Sequence, residues 1–221
     1  MRSEPKLIIF DCDGVLVDSE IIATGLLHER IRSIGGDMSI ETVCERFLGQ
    51  TEASTLHILA DEFNLVLPVV DREQWRTRLI ERFREHLLPI KGIRTAVETL
   101  TIPKCVASSS SPERIEFALE LTGLIDLFKP HLFSGTAVQH GKPAPDLFLH
   151  ASQKMGMKPE TALVIEDSPA GIIAAKTAGM RVFAFIGGSH MQSERMKRQI
   201  TDLSPDVVFD DMNMLPSLLS G

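Results

Sequence analysis

The chain has 221 residues, 43% hydrophobic and 24% charged, enough for one large globular domain or a domain with a small insert. Its net charge of −7 argues against nucleic acid or an anionic membrane surface as a partner. The three cysteines, Cys12, Cys44 and Cys105, are odd in number and share no metal-ligand spacing, so reduced thiols in a cytoplasmic protein are expected.

The N-terminal MRSEPKLIIFD flanks a very short apolar run with charge, which fits neither a signal peptide nor a membrane span. Residues 7–10 are predicted to be a buried strand that stops abruptly at Asp11-Cys12-Asp13-Gly14. Two carboxylates one residue apart at a buried strand tip repel each other, so a cation is expected beside them. Residues 21–34, 40–47, 53–63 and 72–87 then carry apolar residues at three- and four-residue spacing, punctuated by Gly35-Gly36, Gly49 and Leu67-Pro68. A crossover between parallel strands needs one helix, not four. The pattern therefore predicts a helical domain, 19–88, inserted into a core made of 1–18 and 89–221. Further strands are predicted at 105–108, 131–134, 162–166, 181–186 and 206–209. Helices are predicted between the later ones, at 112–122, 145–155, 169–178 and 191–200. Ser111-Pro112 and Ser168-Pro169 each supply an N-cap serine and a first-turn proline. Strands alternating with helices indicate an α/β fold, a doubly wound parallel sheet with helices on both faces.

Ligands bind such sheets at the carboxyl ends of the strands. Asp11 and Asp13 follow the first strand, Ser108 and Ser109 close the second, Lys142 follows the third, and Glu166 and Asp167 close the fourth. Four acids, two hydroxyls and one ammonium on one sheet edge suit phosphoryl transfer. Oxygen ligands without histidine or cysteine favour a hard cation, above all Mg²⁺. A carboxylate nucleophile gives an aspartyl-phosphate, and a second carboxylate can move the proton. A hydroxyl and a lysine can hold the equatorial oxygens.

With these residues in place, Asp11-Cys12-Asp13-Gly14-Val15-Leu16-Val17-Asp18 resembles the first motif of the haloacid dehalogenase superfamily. Val106-Ala107-Ser108-Ser109 resembles the second, Lys142-Pro143 the third, and Val164-Ile165-Glu166-Asp167-Ser168 the fourth. The insert after the first motif is similar to the small α-helical cap of one subfamily, the β-phosphoglucomutase-like phosphatases. The resemblance implies a Rossmann-like core, Asp11 as nucleophile, Asp13 as general acid/base, and Ser108 and Lys142 as holders of the phosphoryl group. It also implies Mg²⁺ on Asp11, the Asp13 carbonyl and Asp167, with Glu166 bound directly or through water. Ser109 and the cap segment Gly49, Thr51 and Glu52 are expected at the substrate.

Within that family, Asp13 and the Glu166-Asp167 pair argue for phosphate over a halogenated carbon. Phosphonate hydrolysis needs a cap lysine, and there is none between Lys6 and Lys91. Phosphomutases carry a histidine where this chain has Ala23, and an arginine where the glycine loop here leads to Glu52. The expected activity is a Mg²⁺-dependent phosphatase of small phosphate monoesters, sugar phosphates among them. A sugar phosphomutase and a non-catalytic phosphometabolite-binding protein are the alternatives. The expected partner is a small phosphorylated metabolite, with the chain a monomer or small homo-oligomer. Residues 135–142 imitate a P-loop but have one residue too many, and Pro143 stands where a hydroxyl is needed. The seven histidines form no metal-spaced pair and are expected to be structural or on the surface.

Overall fold

The computed structural model describes residues 4–47, 52–68 and 72–219. The chain forms two compact units, one of Met1–Asp18 with Leu88–Gly221 and one of Ser19–Leu87.

The first unit is built on six strands: β1 (Leu7–Phe10), β2 (Lys104–Ser108), β3 (Leu132–Ser134), β4 (Ala162–Glu166), β5 (Arg181–Phe185) and β6 (Val207–Phe209). All neighbours are parallel, in the order β3-β2-β1-β4-β5-β6. This is the doubly wound arrangement, with its switch point between β1 and β4. Phe10 at the end of β1 stands level with Val106 of β2 and Ile165 of β4, so the residues that follow these strands emerge together. β1 and β4 are buried along their whole length, as expected of central strands covered on both faces. The edge strands β3 and β6 are only three residues long and partly exposed. Phe10 packs edge-on against Phe128 at 5.7 Å, and Phe185 meets Phe209 at 5.3 Å.

The four helices of the second unit are α1 (Glu20–Ser33), α2 (Ile40–Phe47), α3 (Glu52–Phe63) and α4 (Arg72–His86). Among the described residues, α1, α2 and α3 share a core around Ile31, Val43, Phe47 and Leu59, and α4 lies against α1. In the first unit lie α5 (Ile93–Thr99), α6 (Pro112–Leu121), α7 (Asp146–Lys154), α8 (Pro169–Thr177), α9 (Glu194–Asp202) and α10 (Leu215–Leu219). The short helix α5 escapes the sequence pattern, although it buries Ile93, Ala96 and Val97 at helical spacing. α9 starts at Glu194 rather than 191 because the Ser193 hydroxyl caps it, accepting from the Arg195 amide at 3.2 Å.

Where the first unit is interrupted, its two ends are tied. The Asp18 amide donates to the Leu88 carbonyl and the Ile90 amide to the Leu16 carbonyl, both at 2.9 Å. Among the described residues, no helix is long and apolar enough to cross a membrane.

Candidate active site

Asp11 stands one residue past β1, and its side chain is almost fully buried. The Lys142 ammonium, equally enclosed, donates to Asp11 Oδ1 at 2.5 Å and to Glu166 Oε1 at 2.6 Å. It also sits 4.9 Å from the centre of the Phe148 ring. Lys142 rides on the loop before α7, which the Asp146 carboxylate fastens by accepting from the His140 amide at 3.3 Å.

Glu166, the last residue of β4, is wholly buried at the start of α8. Its Oε2 accepts from the amides of Asp167 and Ser168, at 2.9 and 2.7 Å, and from the Ser168 hydroxyl at 2.9 Å. Ser168 in turn caps α8, accepting from the Gly171 amide at 3.0 Å. A helix N-terminus is a favourable place for a carboxylate, so local structure and site chemistry agree here. The carboxylate fills the room beside Gly171, where an added Cβ would lie 1.7 Å from Glu166 Oε1.

Asp167 turns its Oδ2 to Nε2 of His190, 2.9 Å away, and both side chains are buried. Gly14 leaves space for this pair. Its φ is +80°, and a Cβ there would fall 1.9 Å from Asp167 Oδ2. Asp18, the last acid of the first motif, accepts the Ser189 amide at 3.2 Å and so links that loop to the segment carrying His190.

Asp13 is held from the β2–α6 connection. Arg114 Nη2 donates to Oδ1 at 2.8 Å, the Ser110 hydroxyl to Oδ2 at 2.7 Å, and the Ser108 hydroxyl to Oδ2 at 3.4 Å. Sequence patterns identify Ser108, and the structure brings it to Asp13. Ser109 is exposed at the strand end. Gly49 and Thr51 lie outside the described residues, and Glu52 opens α3. Three participants carry no clear signal in the sequence. Ser110 reads as part of a turn, Arg114 as a helix-surface residue, and His190 as one of seven dispersed histidines. For Arg114 a cue exists, since a cation in the first turn of a helix opposes the helix dipole and calls for a partner. The P-loop imitation does not open a long helix. Residues Gly135–Ala137 make a single tight turn capped by Ser134, whose hydroxyl accepts the Thr136 amide at 3.1 Å.

The electrostatics are those of a crowded anionic cluster. Burial pushes the Asp11 carboxyl well above the usual carboxylate range. Lys142 opposes this, but Glu166, Asp167 and Asp13 add to it. Asp167 is raised in the same way, by burial first and then by Glu166. Burial alone would lower Lys142, yet Asp11 and Glu166 hold its ammonium above the ordinary lysine value. Burial, then Asp13 and Asp11, keep the Cys12 thiol far from ionising.

Among the described residues, no three His, Cys, Asp or Glu side chains stand together as a ready-made metal cage. The reason is visible: Glu166 is occupied by Lys142 and the start of α8, and Asp13 by Arg114 and two serines. Mg²⁺ does not require such a cage, because it typically takes one or two carboxylates and keeps its waters. Asp11 and Asp167 are buried and charge-crowded, and although Lys142 meets one oxygen of Asp11 and His190 one oxygen of Asp167, two hard carboxylate donors fit that ion.

A family model for haloacid dehalogenase-like hydrolases matches residues 5–179. The chain is 30% identical to 6-phosphogluconate phosphatase from Escherichia coli (strain K12), over 85% of this chain and 86% of that protein. It is 32% identical to a phosphorylated carbohydrates phosphatase from Thermotoga maritima, over 82% of this chain and 85% of the other. Among solved structures, a conserved haloacid dehalogenase-like protein from Agrobacterium tumefaciens str. C58 superposes with a TM-score of 0.89 at 36% identity, covering 97% of both chains. The doubly wound sheet, the acids and lysine at its carboxyl edge and these likenesses agree, and the chain belongs to the haloacid dehalogenase-like hydrolase family.

Proposed function

We propose that this hydrolase is a Mg²⁺-dependent phosphatase of small phosphate monoesters, sugar phosphates among them, working through an aspartyl-phosphate on Asp11. The observation that carries the reading is the buried Asp11–Lys142–Glu166 chain at the switch point of the sheet. Two relatives named for phosphatases of 6-phosphogluconate and phosphorylated carbohydrates support the substrate class.

In this reading Asp11 attacks phosphorus, and the bond from phosphorus to the leaving oxygen breaks. The Asp13 carboxyl gives that oxygen its proton. Asp13, now a carboxylate, takes a proton from the water whose oxygen next attacks phosphorus. The bond between Asp11 and phosphorus then breaks, inorganic phosphate leaves, and Asp11 is regenerated. Lys142 holds the nucleophile and, with the Ser108 hydroxyl, faces the transferring oxygens. Asp11, the Asp13 carbonyl and Asp167, with Glu166 directly or through water, would hold Mg²⁺, which screens the carboxylates and neutralises phosphoryl charge. Ser109 is assigned to the substrate. Residues 19–88 are assigned the role of a cap that selects the leaving group, with Gly49, Thr51 and Glu52 as its specificity segment.

The test is hydrolysis of p-nitrophenyl phosphate with Mg²⁺, with chelator, and by Asp11→Asn. Turnover is expected only for the unaltered chain with metal. Turnover that survives chelation, or an undiminished Asp11→Asn enzyme, overturns the proposal.

A further inference from the structure

Both carboxylate oxygens of Asp13 are gripped by a part of the chain about a hundred residues away. Ser110 and Ser108 meet Oδ2, and Arg114 meets Oδ1 with a charged hydrogen bond of 2.8 Å. The grip is itself braced. The Ser134 hydroxyl on β3 donates to the Ser110 carbonyl at 2.6 Å, and the Ser110 amide donates to the Ser108 hydroxyl at 3.0 Å. Arg114 stands in the first turn of α6, behind Ser111 and Pro112, where the helix dipole disfavours a cation. Its side chain is 32% exposed and that of Asp13 only 14%, so the guanidinium reaches inward to the carboxylate. Neither the helix nor the solvent explains that direction, whereas the carboxylate does.

We propose that Arg114 is the positioning residue of the acid/base group, fixing the rotation of the Asp13 carboxylate so that one oxygen is presented to the leaving group. The inference rests on the phosphatase reading above. Arg114 bonds to Asp13 Oδ1. It acts through Asp13, and its effect scales with how much the departing oxygen needs a proton. An alkoxide needs one, while p-nitrophenolate is a stable anion and departs largely without help. A group that bound the substrate phosphate would affect both esters alike.

The experiment compares kcat and KM of the unaltered chain, Arg114→Ala and Arg114→Lys, with Mg²⁺ present. The substrates are p-nitrophenyl phosphate and the best alkyl monoester from a panel of sugar phosphates. For Arg114→Ala, kcat/KM on the alkyl ester is expected to fall on the order of 100-fold, the scale of a misaligned proton donor. On p-nitrophenyl phosphate the fall is expected to be roughly tenfold smaller, with the loss in kcat rather than KM. Arg114→Lys, which keeps the charge but loses the planar fork, should recover part of the alkyl rate. An equal loss on both esters, or a raised KM at unchanged kcat, overturns the inference and leaves the phosphatase reading standing. If the unaltered chain cleaves neither ester, the phosphatase reading itself fails and takes the inference with it.

Discussion

Alanine should be welcome at most helical glycines, and Gly171 should be an exception. In an exposed helix interior, Gly→Ala stabilises by about 1 kcal/mol. At Gly171 the added methyl would sit 1.7 Å from Glu166 Oε1, 1.9 Å from its Cδ and 2.5 Å from Oε2. The obstacle is no mobile side-chain end, since that carboxylate takes hydrogen bonds from Lys142, two amides and the Ser168 hydroxyl. To make room it must leave them. Bonds to a charged group contribute about 1.5–3 kcal/mol each, and some will re-form, so a loss of about 4 kcal/mol is reasonable. Set against the helix gain, the net is about 3 kcal/mol of destabilisation. For a protein of this length that lowers the unfolding midpoint by roughly 10 °C. Gly25 in α1 is the control, because a methyl there meets nothing within 4 Å. Thermal unfolding followed by circular dichroism should show Gly171→Ala well below the unaltered chain and Gly25→Ala level with it or slightly above. A Gly171→Ala protein as stable as the unaltered one would refute this account of the packing around Glu166.

Three further outcomes follow from the same site. Lys142→Met leaves Asp11 and Glu166 buried without their shared cation. It should lower stability by about 3–5 kcal/mol in urea unfolding and abolish turnover. His190→Ala removes a buried partner of Asp167. A drop of about 1–3 kcal/mol is expected, with weaker Mg²⁺ binding by calorimetry. The third outcome concerns pH. Asp11 and Asp167 have folded-state values above the ordinary 3.8, so between 3.8 and those raised values the folded chain binds more protons than the unfolded one. Metal-free stability should therefore fall as pH rises through that window, and Mg²⁺ should restore it at neutral pH. Unfolding midpoints that rise with pH across the window in chelator would contradict this.

The sheet was readable because its central strands are continuous apolar runs that end in chemistry-bearing residues. Leu7–Phe10 before Asp11, and Ala162–Glu166 before Asp167, carry both signals at once. Asp11, Lys142 and Glu166 do converge as their strand-end positions suggested. The sequence is silent on how each acid is held. Arg114 and Ser110 reach Asp13 across about a hundred residues of chain, and His190 reaches Asp167 from the segment after β5. Such contacts are made by the crossovers and leave no periodic trace. α5 leaves no clear signal for a different reason: at seven residues it is too short for its helical spacing to stand out beside the return of the chain at Pro89.

Cys12 sits between the two aspartates of the first motif, a place where a reactive thiol would be a liability. Thiolates, not thiols, are oxidised and alkylated. Burial and the flanking carboxylates hold Cys12 protonated, and burial pushes Cys105 up to about 12. Burial first, and the carboxylates beside Cys12 second, therefore disfavour the thiolate that peroxide and thiol-directed reagents require. Inactivation by such reagents should track unfolding of the chain rather than attack on the native site.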